Sequence, residues 1–170
     1  MHGRLLAEIA HDDDLILSGR TVGRSSVRGI VRRHGRLLMV RSRDGDYKFP
    51  GGGVEAGESV PDALCRELAE ECGARVLGVG EPFGRVLEHA AAREADYDVF
   101  TNTSWYLHCE IAADFGEQRL EDDERELGLV PVWVDIAEAI AVNSALLAGG
   151  AGPRWLRRET TVLRLVNGSA

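Results

Sequence analysis

Between Ser25 and Ser42 the apolar residues gather into two short runs, Ser25 to Arg33 and Arg36 to Ser42, with His34 and Gly35 between them. Two such runs around a two-residue break predict a β-hairpin. Asp44, Gly45 and Asp46 end the second strand in a turn. Phe49, Pro50, Gly51, Gly52 and Gly53 follow as an irregular, glycine-rich loop, where backbone can approach a ligand closely.

From Ser59 the period changes. Ser59 stands as an N-cap with Asp62 three residues on, Pro61 occupies the first turn, and Leu64 and Leu68 mark a buried stripe. A helix over Val60 to Cys72 follows, closed by Gly73. Beyond it, Arg75 to Val79 and Phe83 to Glu88 read as strands. In Thr103 to Ile111 the residues Trp105, Leu107, Cys109 and Ile111 alternate with Tyr106, His108 and Glu110, the period of a half-buried strand. Pro131 to Val134 is a further strand, and Asp135 caps a helix running to about Val142. Trp155, Leu156, Thr160 and Leu163 have helical spacing within a C-terminal helix at about 153–166. Strands thus mix with three helices, so the class is α/β or α+β.

The 170 residues suit one domain, 1–170, with the N-terminal segment 1–24 and the C-terminal helix packed on it. Lys and Arg number 20 against 28 Asp and Glu, a net charge of −8, which argues against binding a nucleic-acid polymer through its phosphates. A small phosphorylated substrate remains compatible, if metal ions supply positive charge. Aliphatic runs such as Leu37 to Val40 are far shorter than the roughly 20 residues of a membrane span. Asp12, Asp13 and Asp14 interrupt the first 30 residues, which do not read as a secretory signal. Cys65, Cys72 and Cys109 are odd in number and lack zinc spacing, as expected of reduced thiols in a cytoplasmic protein.

The chemistry concentrates in Gly52 to Ala74. Glu67, Glu70 and Glu71 stand at i, i+3 and i+4, so their carboxylates leave one face of the helix and repel. Arg66 neutralises part of that charge, but one guanidinium does not match three glutamates plus Glu58 arriving from the loop. Hard oxygen donors with few histidines or thiols nearby select Mg²⁺ or Mn²⁺ over Zn²⁺. A bare ExxEE is most often a solvated helix face; the glycine loop, Glu58 and Arg66 at fixed spacing distinguish this one.

Gly52, Glu58, Arg66, Glu67, Leu68, Glu70, Glu71 and Gly73 stand at the spacing of the Nudix signature, and this segment resembles the Nudix hydrolase family. Chance co-occurrence of the single-identity positions in such a chain is on the order of 10⁻⁶. One position departs: the final aliphatic residue is Ala74. The resemblance extends more weakly to Phe49, Pro50 and Gly51 and to Pro131, Val132 and Trp133.

The resemblance implies an α/β/α sandwich around a mixed β-sheet and hydrolysis of a diphosphate linked to another moiety, usually a nucleoside, with Mg²⁺ or Mn²⁺. It implies Glu67 and Glu71 as metal ligands, with Glu70 and the Gly51 carbonyl completing the set, and Arg66 orienting Glu67. Glu58 would hold a water or the arginine. The base differs within the family; among Glu121, Asp122, Asp123, Glu124 and Glu126, the choice here is Glu124, although a solvated acidic loop is the blander reading of that run. Arg41, Lys48 and Arg85 are candidates for substrate contacts, each set against the ordinary fate of a surface charge. A nucleoside triphosphate such as an oxidised purine dNTP is one candidate substrate, and the resemblance admits a homodimer.

Two other classes fit the residues less well. A Nudix domain that senses a ligand without turnover need not keep Glu67, Glu70 and Glu71 together, yet all three are present. An isopentenyl-type isomerase would need a catalytic cysteine in a distinct motif, and none of the three is so placed. The chain contains no P-loop, no dinucleotide fingerprint, no H-E-x-x-H pair and no nucleophile elbow.

Overall fold

A computed structural model describes residues 3–150 and 152–169. Its elements in chain order are β1 (Leu5–Ala10), β2 (Thr21–Ile30), β3 (Arg32–Arg33), β4 (Arg36–Arg41), β5 (Tyr47–Lys48), α1 (Val60–Cys72), β6 (Ala74–Ala91), β7 (Val99–Phe115), α2 (Asp122–Leu127), β8 (Val130–Asp135), α3 (Ile136–Ala148) and α4 (Trp155–Asn167).

Two sheets form the middle layer. The first has the order β1-β6-β7-β2 and is mixed: β1 runs parallel to β6, β6 antiparallel to β7, and β7 parallel to β2. In the second, β4 pairs antiparallel with β3 and β5 and, along its whole length, with β8. Because strand side chains alternate, each sheet feeds two cores. Leu38, Val40, Val27, Leu107 and Cys109 pack with Ala63, Leu64 and Leu68 of α1. Leu37, Met39, Ile30, Val86 and Tyr106 pack with Ala139 of α3 and Val162, Leu163 and Val166 of α4. The result is the expected α/β/α sandwich.

The sequence-based elements shift in four places. The run Ser25 to Arg33 divides between the sheets: β2 pairs with β7 as far as Ile30, and only Arg32 and Arg33 pair with β4. Its turn is the expected one, with His34 at φ 49° and Gly35 at φ 78°, both positive as the tight hairpin turn requires. The strands expected at Arg75 to Val79 and Phe83 to Glu88 are one strand, because register shifts around Val79, Pro82 and Gly84 absorb a proline that has no N–H to give the ladder. α3 runs to Ala148, past Val142, since the buried Asn143 continues it: its Oδ1 accepts from Tyr47 N–H at 2.9 Å and its Nδ2 donates to Tyr47 O at 2.8 Å. Within the N-terminal segment, Leu5–Ala10 adds a strand beside β6 that no alternation announced.

Helix α1 begins as expected. The Ser59 hydroxyl accepts from Asp62 N–H, and Gly73 ends the helix at φ 65°. The glycine-rich loop lies along β2, with Val27 N–H donating to Gly52 O and Gly29 N–H to Pro50 O, each at 2.9 Å. Gly51 adopts φ 135°, and a Cβ there would lie 3.0 Å from Arg28 Cα, so the loop sits against β2 at a distance only glycine allows. This contact fixes the loop over the C-terminal half of β2, the strand that faces α1.

Candidate active site

Arg66 organises the acidic face of α1. Its Nε and Nη2 donate to the two oxygens of Glu58, each at 3.0 Å, while Nη1 donates to Glu67 at 2.9 Å and Glu70 at 3.1 Å. Nη2 also donates to Gly53 O at 2.9 Å, tying helix to loop. The fork-to-fork pair with Glu58 is the strong, planar kind. It holds Glu58 below the usual carboxylate range and, with the other acids, raises the guanidinium's own pKa.

Glu71 is fully buried and held from two sides. Lys48 Nζ lies 2.6 Å from its Oε1, and Gly51 N–H donates to its Oε2 at 2.6 Å. Glu67, 7% exposed, lies beside it. Burial first and the charge of Glu71 second raise the pKa of Glu67, against the pull of Arg66 and Arg28.

Glu124 joins them. Glu67, Glu71 and Glu124 each offer a carboxylate oxygen, and these oxygens lie within 4.8 Å of one another. The acidic run forms the short helix α2, which keeps Glu121, Asp122, Asp123 and Glu126 exposed while Glu124 is half-buried and its carboxylate accepts from Glu121 N–H at 2.9 Å. The chain is steered there from the far end of α1: Gln118 Nε2 donates to Glu71 O at 2.5 Å and to Leu129 O at 3.2 Å, and Arg119 N–H donates to Glu70 O at 2.8 Å. Burial, and beyond it the nearby Glu71, pushes Glu124 up to about 7.

The donor set fits a hard dication. Glu58, Glu67, Glu70, Glu71 and Glu124 outnumber the cations Arg66, Lys48 and Arg28, and the three clustered carboxyls offer oxygen alone. Two of them are raised in pKa, chiefly by burial and further by the charge of Glu71.

Other expected residues fall differently. Glu70 is outside the trio and is turned to Arg66. Gly51 is seen giving its N–H to Glu71. Lys48 lines a cavity of about 490 Å³ beside the trio, whereas Arg41 and Arg85 do not. Arg41 is exposed, with its guanidinium 5.8 Å from the Tyr47 ring centre, and Arg85 lies 5.9 Å from the Trp105 ring centre.

Sequence reasoning missed Arg28. This side chain, 7% exposed, lines the same cavity and stands on β2 within the apolar run Val27 to Val31. A charge inside such a run was the available signal. It also missed the floor of the cavity, a buried polar network. Asn102 accepts from the Ser26 hydroxyl at 2.8 Å and donates to Glu88 at 3.2 Å; Glu88 pairs with Arg158, whose Nε donates to Glu159 at 2.9 Å. Glu159 in turn accepts from Phe49 N–H at 2.9 Å and from the Tyr106 hydroxyl at 3.2 Å. These residues are scattered from β2 to α4, and no local spacing announces them.

The model of the NUDIX domain matches residues 22–154. A putative 8-oxo-dGTP diphosphatase, YtkD, of Bacillus subtilis (strain 168) is 47% identical over 47 residues, 28% of this chain and 30% of the relative. An ADP-ribose pyrophosphatase of Methanocaldococcus jannaschii is 36% identical over 52 residues, 28% of this chain and 31% of the relative. The chain therefore matches under a third of the length of these curated relatives. A solved NUDIX hydrolase from Nitrosomonas europaea has the same fold, with a TM-score of 0.57 at 17% identity, over 86% of this chain and 90% of that one. With the domain match spanning most of its length, the chain belongs to the Nudix family.

Proposed function

We propose that the protein hydrolyses a diphosphate bond in a small nucleotide-type substrate with Mg²⁺ or Mn²⁺ held by Glu67, Glu71 and Glu124. The observation that carries this reading is the convergence of those three carboxylates within 4.8 Å beside the glycine loop. A bound dication supplies charge neutralisation and a fixed seat for phosphate oxygens.

The chain's own groups do the rest. Arg66 orients Glu67, and Lys48 with the Gly51 N–H fixes Glu71, so neither carboxylate has to reorganise when substrate arrives. Burial pushes Glu124 up to about 7, and the carboxylate oxygen it does not lend to the dication is the candidate acceptor for the proton of the attacking water. Glu58 and Glu70 act through Arg66. Lys48 reaches both Glu71 and the cavity, which supports it, rather than Arg41 or Arg85, as a contact for a substrate phosphate.

The relatives named for 8-oxo-dGTP and for ADP-ribose support a nucleotide substrate, an oxidised purine dNTP being one candidate. The free thiols of Cys65, Cys72 and Cys109 support a cytoplasmic setting. Among the described residues no helix is long and apolar enough to cross a membrane. A homodimer is read by light scattering. The function is tested by a phosphate-release screen over nucleoside triphosphates, nucleotide sugars and dinucleotides, with Mg²⁺ and with EDTA. Turnover that vanishes in EDTA and returns with Mg²⁺ supports the reading; turnover of nothing in the screen, or turnover indifferent to EDTA, refutes it.

A further inference from the structure

The cavity beside the trio has a volume of about 490 Å³, in the range that takes a small-molecule ligand. Its charged lining is lopsided: Arg24, Arg28 and Arg93 stand against Glu94, while Lys48 is tied to Glu71, Arg154 to Asp12, and Arg158 to Glu88 and Glu159. A local excess of cations in a chain of net charge −8 runs against the molecule's own background and marks a place for an anion.

Arg28 sharpens this. Among the described residues, its Nε and Nη1 are the buried side-chain nitrogens left without a hydrogen-bond partner. Every other charged group on the cavity floor is matched. Glu88 meets His11, Asn102 and Arg158, and Glu159 meets Arg158, Tyr106 and the Phe49 N–H. A buried guanidinium with idle donors is costly unless something supplies acceptors, and phosphate oxygens match its fork. The backbone of Arg28 lies against Gly51, whose N–H donates to Glu71, so Arg28 stands beside the trio. Arg24 and Arg93 are exposed at the rim, Arg24 lying 5.9 Å from the Phe100 ring centre.

We infer that Arg28 binds a phosphoryl group of the substrate in this cavity and that Arg24 and Arg93 receive a further anionic group, so the protein selects substrates with phosphate beyond the pair joined by the scissile bond. This rests on the hydrolase reading of the trio for its orientation. The cations exceed what a neutral sugar or base would need, while the scissile pair itself lies at the acidic cluster.

The test uses the full chain, the variants Arg28→Gln and Arg28→Lys, and the double variant Arg24→Glu with Arg93→Glu. Two quantities are measured: kcat and KM for dGTP and ADP-ribose with Mg²⁺, and calorimetric binding of inorganic tripolyphosphate in EDTA. We expect wild type to favour dGTP over ADP-ribose at least tenfold in kcat/KM. Arg28→Gln should raise the dGTP KM and weaken tripolyphosphate at least tenfold, and Arg28→Lys should fall between, keeping the charge but losing the fork. The rim variant, whose positions are exposed and outside the core, should weaken tripolyphosphate at least tenfold and decides the matter if Arg28→Gln does not fold. Tripolyphosphate binding that is absent, or equal in wild type and the rim variant, overturns the inference, as does a preference for ADP-ribose. Loss of tripolyphosphate binding in the variants while wild type hydrolyses nothing would uphold the cavity and sink the hydrolase reading; metal-dependent turnover with unchanged binding would do the reverse.

Discussion

A Cβ on Gly52 would stand 2.5 Å from the carboxyl carbon of Glu67, so the backbone of the glycine loop and the tip of that glutamate occupy adjoining space with no room for a methyl group. Gly52 is not held at a positive φ, and an alanine there meets only the far end of a side chain. Gly52→Ala should therefore displace the Glu67 carboxylate rather than unfold the chain. Turnover is expected to fall on the order of 10²-fold, the effect of misplacing a catalytic group by about 1 Å, with little change in melting temperature. A variant as active as wild type would show that the Glu67 position is not critical.

Stability without metal should depend on pH in a defined direction. Glu124 is pushed up to about 7 in the folded chain from an ordinary value of 4.5, and Glu67 is raised as well, in both cases chiefly by burial. Between those values the folded state binds more protons than the unfolded one, so stability falls as pH rises. That contribution is complete below 4.5 and lost as pH passes through about 7. In EDTA the melting temperature should drop from pH 5 to pH 8, and Mn²⁺ should raise it more at pH 8 than at pH 5. Equal stabilisation by Mn²⁺ at both values would contradict the proposed dication site.

Glu159 fastens α4 to the loop that carries Gly51. Fully buried, it takes the Phe49 N–H with one oxygen and Tyr106 and Arg158 with the other, and the Phe49 and Tyr106 rings pack edge to face at 5.5 Å. Glu159→Gln leaves Arg158 with Glu88 as its buried counter-charge and keeps an amide oxygen as acceptor, so its cost should be about 1–3 kcal/mol. Urea unfolding measures it; a loss below about 1 kcal/mol would mean that this network does not hold the helix.

What could be read from the chain follows the range of the interactions. Helix α1 was legible to the residue because its cap at Ser59, its stripe at Leu64 and Leu68, and its stop at Gly73 are all local. Its acids were legible for the same reason. The place of Glu124 was visible only as one acid among five, since what brings it to Glu71 is the grip of Gln118 on backbone carbonyls at both ends of the intervening segment. The division of the run Ser25 to Arg33 between two sheets, and the fusion of the two strands around Pro82, are settled by β7, which lies far along the chain. Arg28 carried a local signal, a charge among apolar neighbours, but its idle donors exist only once β2, β6 and α4 enclose it.

The most direct measurement is kcat of Glu67→Gln against wild type, at saturating Mg²⁺ on the best substrate of the phosphate-release screen. Glutamine keeps the shape and removes a charge whose pKa the site already raises, so the fold should persist, as circular dichroism would show. The account predicts a fall of about 10²- to 10⁴-fold. A folded variant that turns over at nearly the wild-type rate would contradict the assignment of this carboxylate cluster as the catalytic centre.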